Sequence, residues 1–202
     1  QFRARYGRDA LAKVDSNENP FGPSPAAIEQ IRAAAAGIGR YPDAGDAALR
    51  HAIAAHTGRD AETVILGNGS EDLIGAIYRA TLRPGDRVLT ICPSFGLHEF
   101  GAQSMGAVVE KVPFPADWRF PVDGLIQAMA QPLRILIFSS PSNPAGPAIT
   151  QPELTRLLAA VPEGALIVFD EAYREYLAGD LAFEATDLLD RAGHAWISLR
   201  TF

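Results

Sequence analysis

Cysteine is almost absent, with Cys92 alone among 202 residues. An internal disulfide framework is therefore excluded, the fold must rest on a buried core, and a reducing compartment, the cytoplasm, is expected. No Cys-His signature surrounds Cys92, which reads as a structural thiol. Lysine is scarce too, Lys13 and Lys111 being the only two. Basic charge is short overall, 18 Lys plus Arg against 24 Asp plus Glu for a net charge of −6. The cations are also scattered, so the footprint of a nucleic-acid binder is missing and nucleic acid is not an expected partner. No apolar run approaches the length of a membrane span, and the first residues lack the charged-then-apolar order of a secretory leader. His51 and His56 lie five apart, off the helix-face spacing of a zinc pair, and no metal is expected. The chain opens on Gln1 and closes on residues 197–202, which read as a strand running off the end. Both ends are expected to be cut from a longer chain.

What the sequence does have is 48% hydrophobic residues with 21% charged, enough to build a sizeable core. Short apolar runs at 64–66, 88–92, 107–112, 135–138 and 166–169 read as strands. Helical spacing fills the intervals: after Asp72, over 97–105, after Phe120 and from Thr150. Strands alternating with helices imply a mostly parallel sheet covered on both faces, an α/β protein of three layers, α/β/α. Ahead of it, residues 1–14 read as an arm or a short helix. Residues 15–25 hold three prolines and form a shaped loop, Ser24-Pro25 starts a helix, and residues 47–56 form another.

The run 165–176, Ala-Leu-Ile-Val-Phe-Asp-Glu-Ala-Tyr-Arg-Glu-Tyr, organises the rest. Its strand ends abruptly in Asp170, and in open α/β sheets ligands sit beyond the carboxyl ends of strands. A lone aspartate there most often caps the following turn. Here other strand ends offer partners. Gly67-Asn68-Gly69-Ser70-Glu71-Asp72 joins strand to helix and exposes backbone N–H groups at a helix N-terminus, an anion cradle, although glycine in such turns often serves geometry alone. It matches neither the dinucleotide fingerprint nor the P-loop. Phe95 follows one strand, Asn143 another, and Tyr173 lies three residues beyond Asp170. Together these groups describe a ligand with a phosphate, a flat ring, a phenolic oxygen and a basic ring atom. Pyridoxal 5′-phosphate has all four.

With these residues in place the chain resembles the fold-type I pyridoxal-phosphate aminotransferases of the histidinol-phosphate aminotransferase group. The matching stretches are Ser16 to Pro25, Arg40-Tyr41-Pro42-Asp43, Gly67 to Asp72, Ser140 to Gly146, Asp170 to Tyr173 and Ser198 to Phe202. The resemblance implies an N-terminal arm, substrate loop and first helix over 1–40, and a cofactor-binding large domain over 41–202 without the small C-terminal domain. Gly69, Ser70 and Glu71 would hold the cofactor phosphate, Phe95 would stack on the ring, Asn143 and Tyr173 would bond the ring hydroxyl, and Asp170 would pair with the ring nitrogen. Asp170 and Tyr173 would be catalytic. Asn19 and Asn143 would meet the substrate, and Tyr41 would reach the cofactor phosphate of the partner in a homodimer.

The implied reaction converts L-histidinol phosphate and 2-oxoglutarate to imidazole acetol phosphate and L-glutamate, a step of histidine biosynthesis. In the family the motif ending at Phe202 continues into Ser-Lys, and that lysine links to the cofactor; neither Lys13 nor Lys111 takes its place. Two departures stand out: Glu71-Asp72 where the family usually reads Asp-Glu, and Phe95 where many relatives have tyrosine. Aromatic amino-acid aminotransferases and threonine-phosphate decarboxylases share most of these motifs, and a non-catalytic regulatory module on the same fold is the alternative of another class.

Overall fold

The computed structural model describes residues 2–7, 14–42 and 45–202, the side chains of Phe2 and Arg3 excepted. Lys13 and Asp43 lie outside the described residues. The chain divides into two compact units, Gln1–Ala61 and Glu62–Phe202.

Among the described residues the first unit holds the α-helices α1 (Phe2–Tyr6), α2 (Pro25–Ala34) and α3 (Ala47–Thr57). Ser24 starts α2 as the sequence predicts, its Oγ accepting from the Ala27 N–H while Pro25 occupies a first-turn position where no N–H is needed. No residue of α2 is buried. Gly58 closes α3 at a φ of 68°, a left-handed position that suits glycine.

The second unit carries the sheet. Its elements run α4 (Gly69–Thr81), β1 (Arg87–Cys92), α5 (Gly96–Ser104), β2 (Val108–Pro113), α6 (Val122–Ala128), β3 (Ile135–Ser139), α7 (Gln151–Leu158), β4 (Leu166–Asp170), α8 (Ala185–Ala192) and β5 (Trp196–Leu199). All five strands are parallel, in the order β2-β1-β3-β4-β5. Order reverses between β1 and β3, and such a switch point opens a crevice at the carboxyl ends of the strands.

Side-chain alternation sorts the core into two layers. On one face Val88, Ile135, Ile137, Val168 and Leu199 pack against Ile74, Ile77 and Tyr78 of α4 and Ala102 of α5. On the other, Leu89, Ile91, Leu136, Phe138, Ile167 and Phe169 pack against Leu125 of α6, Leu154, Leu157 and Leu158 of α7, and Leu188 and Leu189 of α8. The second unit is thus a three-layer α/β/α structure, and the wholly buried β3 explains why residues 135–139 are apolar almost throughout. A capping box, Thr150 with Glu153, starts α7.

Two sequence expectations are corrected. The last strand, expected to run to residue 202, stops at Leu199, and residues 200–202 are irregular. Residues 64–66, which read as a strand, are not one: a short 3₁₀ turn (Ala61–Thr63) precedes them, irregular chain follows, and Ile65 is exposed. A strand needs a neighbour's backbone groups to pair with, and Val-Ile-Leu meets none among the described residues. No helix among the described residues is long and apolar enough to cross a membrane.

Candidate active site

Register across the sheet brings the strand-end residues into line. Cα partners run Cys92 to Pro113, Ser139 to Asp170, and Asp170 to Leu199. Leu199 belongs to the layer beneath α4 and α5, so Asp170, its register partner, faces that layer too. Asp170 is only 3% exposed. Its Oδ1 accepts from the Ala172 N–H at 3.0 Å, and its Oδ2 meets Nε2 of the fully buried His98 at 3.1 Å. Because a carboxylate only accepts, Nε2 carries the proton, and Nδ1 is left to accept from Ser94 Oγ, 2.9 Å away. Ser94, His98 and Asp170 therefore form a hydrogen-bonded chain that aims the carboxylate. Two of its roughly four acceptor positions are used, and the others remain for a donor.

The helices hold His98 in place. Tyr78 of α4 donates its hydroxyl to the His98 carbonyl at 2.9 Å. Burial, with the Asp170 charge adding to it, pushes the Tyr78 phenol well above its ordinary value, so it stays a neutral donor. Gly101 makes the approach possible, since a Cβ there would stand 2.9 Å from the Tyr78 ring. Phe95, at the N-cap position of α5, meets His98 edge-on at 5.8 Å between centroids and is anchored by it.

Asn143 and Tyr173 also come together: Asn143 Nδ2 donates to the Tyr173 hydroxyl oxygen at 3.3 Å, across 30 residues of sequence. The cradle belongs to the same end of the sheet. A short turn, 82–86, carries the end of α4 to the start of β1, so α4 runs back along the strands and its N-terminus lies at their carboxyl ends. Gly69 takes a φ of 80°, and Asn68 at the N-cap makes no side-chain cap bond. The first-turn N–H groups of Ser70 and Glu71 thus point out uncapped, as a phosphate requires. Gly67 is also needed, because a Cβ there would stand 2.8 Å from Leu73.

Asn19 and Tyr41 lie in the first unit. Both polar atoms of Asn19 serve its own loop, Oδ1 accepting from the Phe21 N–H at 3.0 Å and Nδ2 donating to the Gly22 carbonyl at 3.2 Å. Tyr41 is wholly exposed. Lys111 sits on edge strand β2, paired with Glu99 at 2.8 Å. An open groove of about 530 Å³ along that edge is lined by Arg87, Glu110, Lys111 and Gln131, but Arg87 is already held by Glu110 and three backbone carbonyls.

Ser94, His98 and Tyr78 were not picked out from sequence. The i, i+4 spacing of Ser94 and His98 was visible, but strand order alone sets Asp170, 72 residues away, opposite His98. Glu171, buried beside Asp170, was missed for the same reason.

Residues 10–202 match the family described as aminotransferase class I and II. Histidinol-phosphate aminotransferase 1 of Mesorhizobium japonicum is 47% identical over 199 residues, which cover 98% of this chain and 54% of that protein. Histidinol-phosphate aminotransferase 3 of Rhizobium meliloti is 44% identical over 206 residues, 100% of this chain and 55% of the relative. The chain thus spans about half the length of these relatives. The crystal structure of histidinol-phosphate aminotransferase from Sinorhizobium meliloti, in complex with pyridoxal-5′-phosphate, superposes with a TM-score of 0.89 at 29% identity, covering 99% of this chain and 54% of that one. A Thermus thermophilus aspartate aminotransferase double mutant shares the fold, with a TM-score of 0.85 at 21% identity over 98% of this chain and 54% of the other.

Proposed function

We propose, on the premise that this chain belongs to the aminotransferase class I and II family, that it contributes the cofactor-binding part of a pyridoxal 5′-phosphate-dependent histidinol-phosphate aminotransferase. The observation that carries the reading is the buried Asp170 carboxylate, aimed by His98 at the switch-point end of the sheet and accompanied by the Asn143–Tyr173 pair. The donor set fits the group. Uncapped N–H groups of Ser70 and Glu71, with the turn at Gly69, suit a phosphate; Phe95 offers an anchored aromatic face; Asn143 and Tyr173 offer hydrogen bonds to a ring oxygen; Asp170 has acceptor capacity to spare.

When bound, pyridoxal 5′-phosphate supplies an electron sink for the pair released at the amine-bearing carbon. Asp170 holds a proton on the ring nitrogen, since its negative charge favours the cationic ring over the neutral one. His98 keeps the carboxylate in one orientation and shields it from water. Asn143 and Tyr173 would hold the ring by its hydroxyl oxygen, and the positive end of α4 would balance the phosphate charge. Lys111, tied to Glu99 on an edge strand, takes no part.

The amino donor assigned is L-histidinol phosphate, the acceptor 2-oxoglutarate, and the setting a cytoplasmic biosynthetic enzyme. The reading includes a homodimer in which Tyr41 serves the partner's cofactor phosphate. Exposed Val14, Phe21, Ile31, Ile38 and Tyr41 in the first unit, and a helix α2 with nothing buried, support a further surface covering them. The test is to give the intact, cofactor-loaded protein L-histidinol phosphate and 2-oxoglutarate and to measure glutamate formed. Faster turnover of an aromatic amino acid would move the assignment to that relative, and release of carbon dioxide from threonine phosphate to the decarboxylase. Bound cofactor without turnover of any donor would leave a regulatory module.

A further inference from the structure

Asp170 and Glu171 are adjacent, both 3% exposed, and as neighbours at a strand end they face opposite sides of the sheet. Asp170 belongs to the site above; Glu171 has no part in it. Glu171 Oε2 accepts from Ser198 Oγ of β5 at 2.5 Å, and Oε1 accepts from Arg174 Nη1 at 3.4 Å. Arg174 is in turn held by Glu184 through two contacts, at 2.8 and 2.5 Å. The main chain follows the same seam: the Glu171 N–H donates to the Leu199 carbonyl at 2.8 Å, and Thr201 Oγ1 donates to the Ala172 carbonyl at 3.3 Å. Arg200 and Glu175 close it at 3.0 Å. Tyr173 lies in the middle of the segment so fastened, with Glu171 bonded before it and Arg174 and Glu175 after it.

A buried carboxylate is costly unless its partners satisfy it, and burial lifts Glu171 above the ordinary carboxylate range despite Ser198 and Arg174. Packing alone would be met as well by an apolar residue. What a carboxylate adds is two fixed acceptor directions, here toward two different elements. We propose that Glu171 is a positioning residue: through Ser198 and Arg174 it fastens the turn bearing Tyr173 to the end of β5 and so sets where the Tyr173 hydroxyl stands relative to Asn143 and Asp170. This rests on the reading of the site as a pyridoxal-phosphate site, in which Tyr173 touches the cofactor and Glu171 acts only through it.

Arg174 can only donate, whereas the Ser198 hydroxyl can turn to accept, so Glu171→Gln keeps at best two neutral contacts in place of two made to a carboxylate, and charge-assisted bonds are roughly twice as strong. Ser198→Ala removes only the hydroxyl, and Ser198→Thr keeps it. Dissociation constants for pyridoxal 5′-phosphate are measured in the intact protein for these variants, for Tyr173→Phe and for Glu171→Gln/Tyr173→Phe. Glu171→Gln is expected to weaken binding about tenfold, the scale of one well-placed hydrogen bond. Ser198→Ala should weaken it in the same direction, and Ser198→Thr should restore it. The double variant should stay within about twofold of Tyr173→Phe alone, because a residue acting through Tyr173 has nothing further to lose once that hydroxyl is gone.

Losses that multiply in the double variant, or Glu171→Gln binding as tightly as the parent, would overturn the proposal. Hydrogen exchange in the cofactor-free protein separates its failure from that of the site reading: the amides of residues 172–176 should exchange faster in Glu171→Gln while those of α4 do not change. A parent that binds no pyridoxal phosphate refutes the site reading, and exchange at 172–176 then decides the clamp alone, unchanged protection counting against it.

Discussion

Asp170 shows how little of a residue's role its type reveals. A cap and a charge donor look alike in sequence, but Asp170→Asn separates them, since asparagine caps about as well as aspartate yet carries no charge. In the intact protein with cofactor confirmed in place, Asp170→Asn should slow single-turnover proton abstraction by at least about a hundredfold, the usual cost of one preorganised electrostatic contact. A rate within a few-fold of the parent would make Asp170 a cap. His98 should report differently. His98→Phe leaves both Asp170 Oδ2 and Ser94 Oγ without their partner. Unsatisfied buried groups typically cost ~1–3 kcal/mol, so the cofactor-free protein should lose about that much in denaturant unfolding. Ser94→Ala, which removes one bond and strands no carboxylate, should lose less. Equal stability of all three proteins would mean the chain of bonds contributes nothing to the fold.

Elements carry the next level of control, and their ends matter more than their middles. Arg174, at the start of the 3₁₀ turn Arg174–Tyr176, joins β4 to the entry of α8 through Glu184. The bond to Arg174, followed by one from Thr186, holds the Glu184 carboxyl down at about 2. A carboxyl depressed on folding contributes stability that is full above its unfolded value, near 4.5, and is lost as pH falls toward about 2. Glu171 has the opposite sign. Its raised value favours the protonated form in the fold, so its contribution declines as pH rises past the unfolded value. Glu184→Gln should therefore flatten the acid limb of a melting-temperature profile between about pH 4.5 and 2, whereas an unchanged acid limb would show that the pair is solvent-screened. Helix α4 was legible from Ile74, Ile77 and Tyr78 at helical spacing, but not the service Tyr78 gives to His98. Residues 64–66 mark the converse case, where strand-like composition meets no partner strand among the described residues.

At the scale of the whole molecule, the assignment of Tyr41 to the partner's site can be tested by complementation. In a mixed dimer of Tyr41→Phe and Asp170→Asn subunits, action across the interface leaves one site with both native residues and puts both lesions in the other. Action within the subunit leaves a lesion in each site. One fully active site per mixed dimer is the expected result, measured as turnover at a cofactor concentration too low to fill a Tyr41→Phe site, and none would refute the shared site. The sequence by itself determined the α/β class, the order of nearly every element and the residues at the strand ends, because hydrophobic period, caps and strand terminations are written in contiguous residues. Tertiary structure alone decided that Asp170 meets His98, that Asn143 meets Tyr173 and that Glu171 meets Ser198. Those pairs lie on different elements, and their approach depends on strand order and register, which arise only when the whole sheet forms.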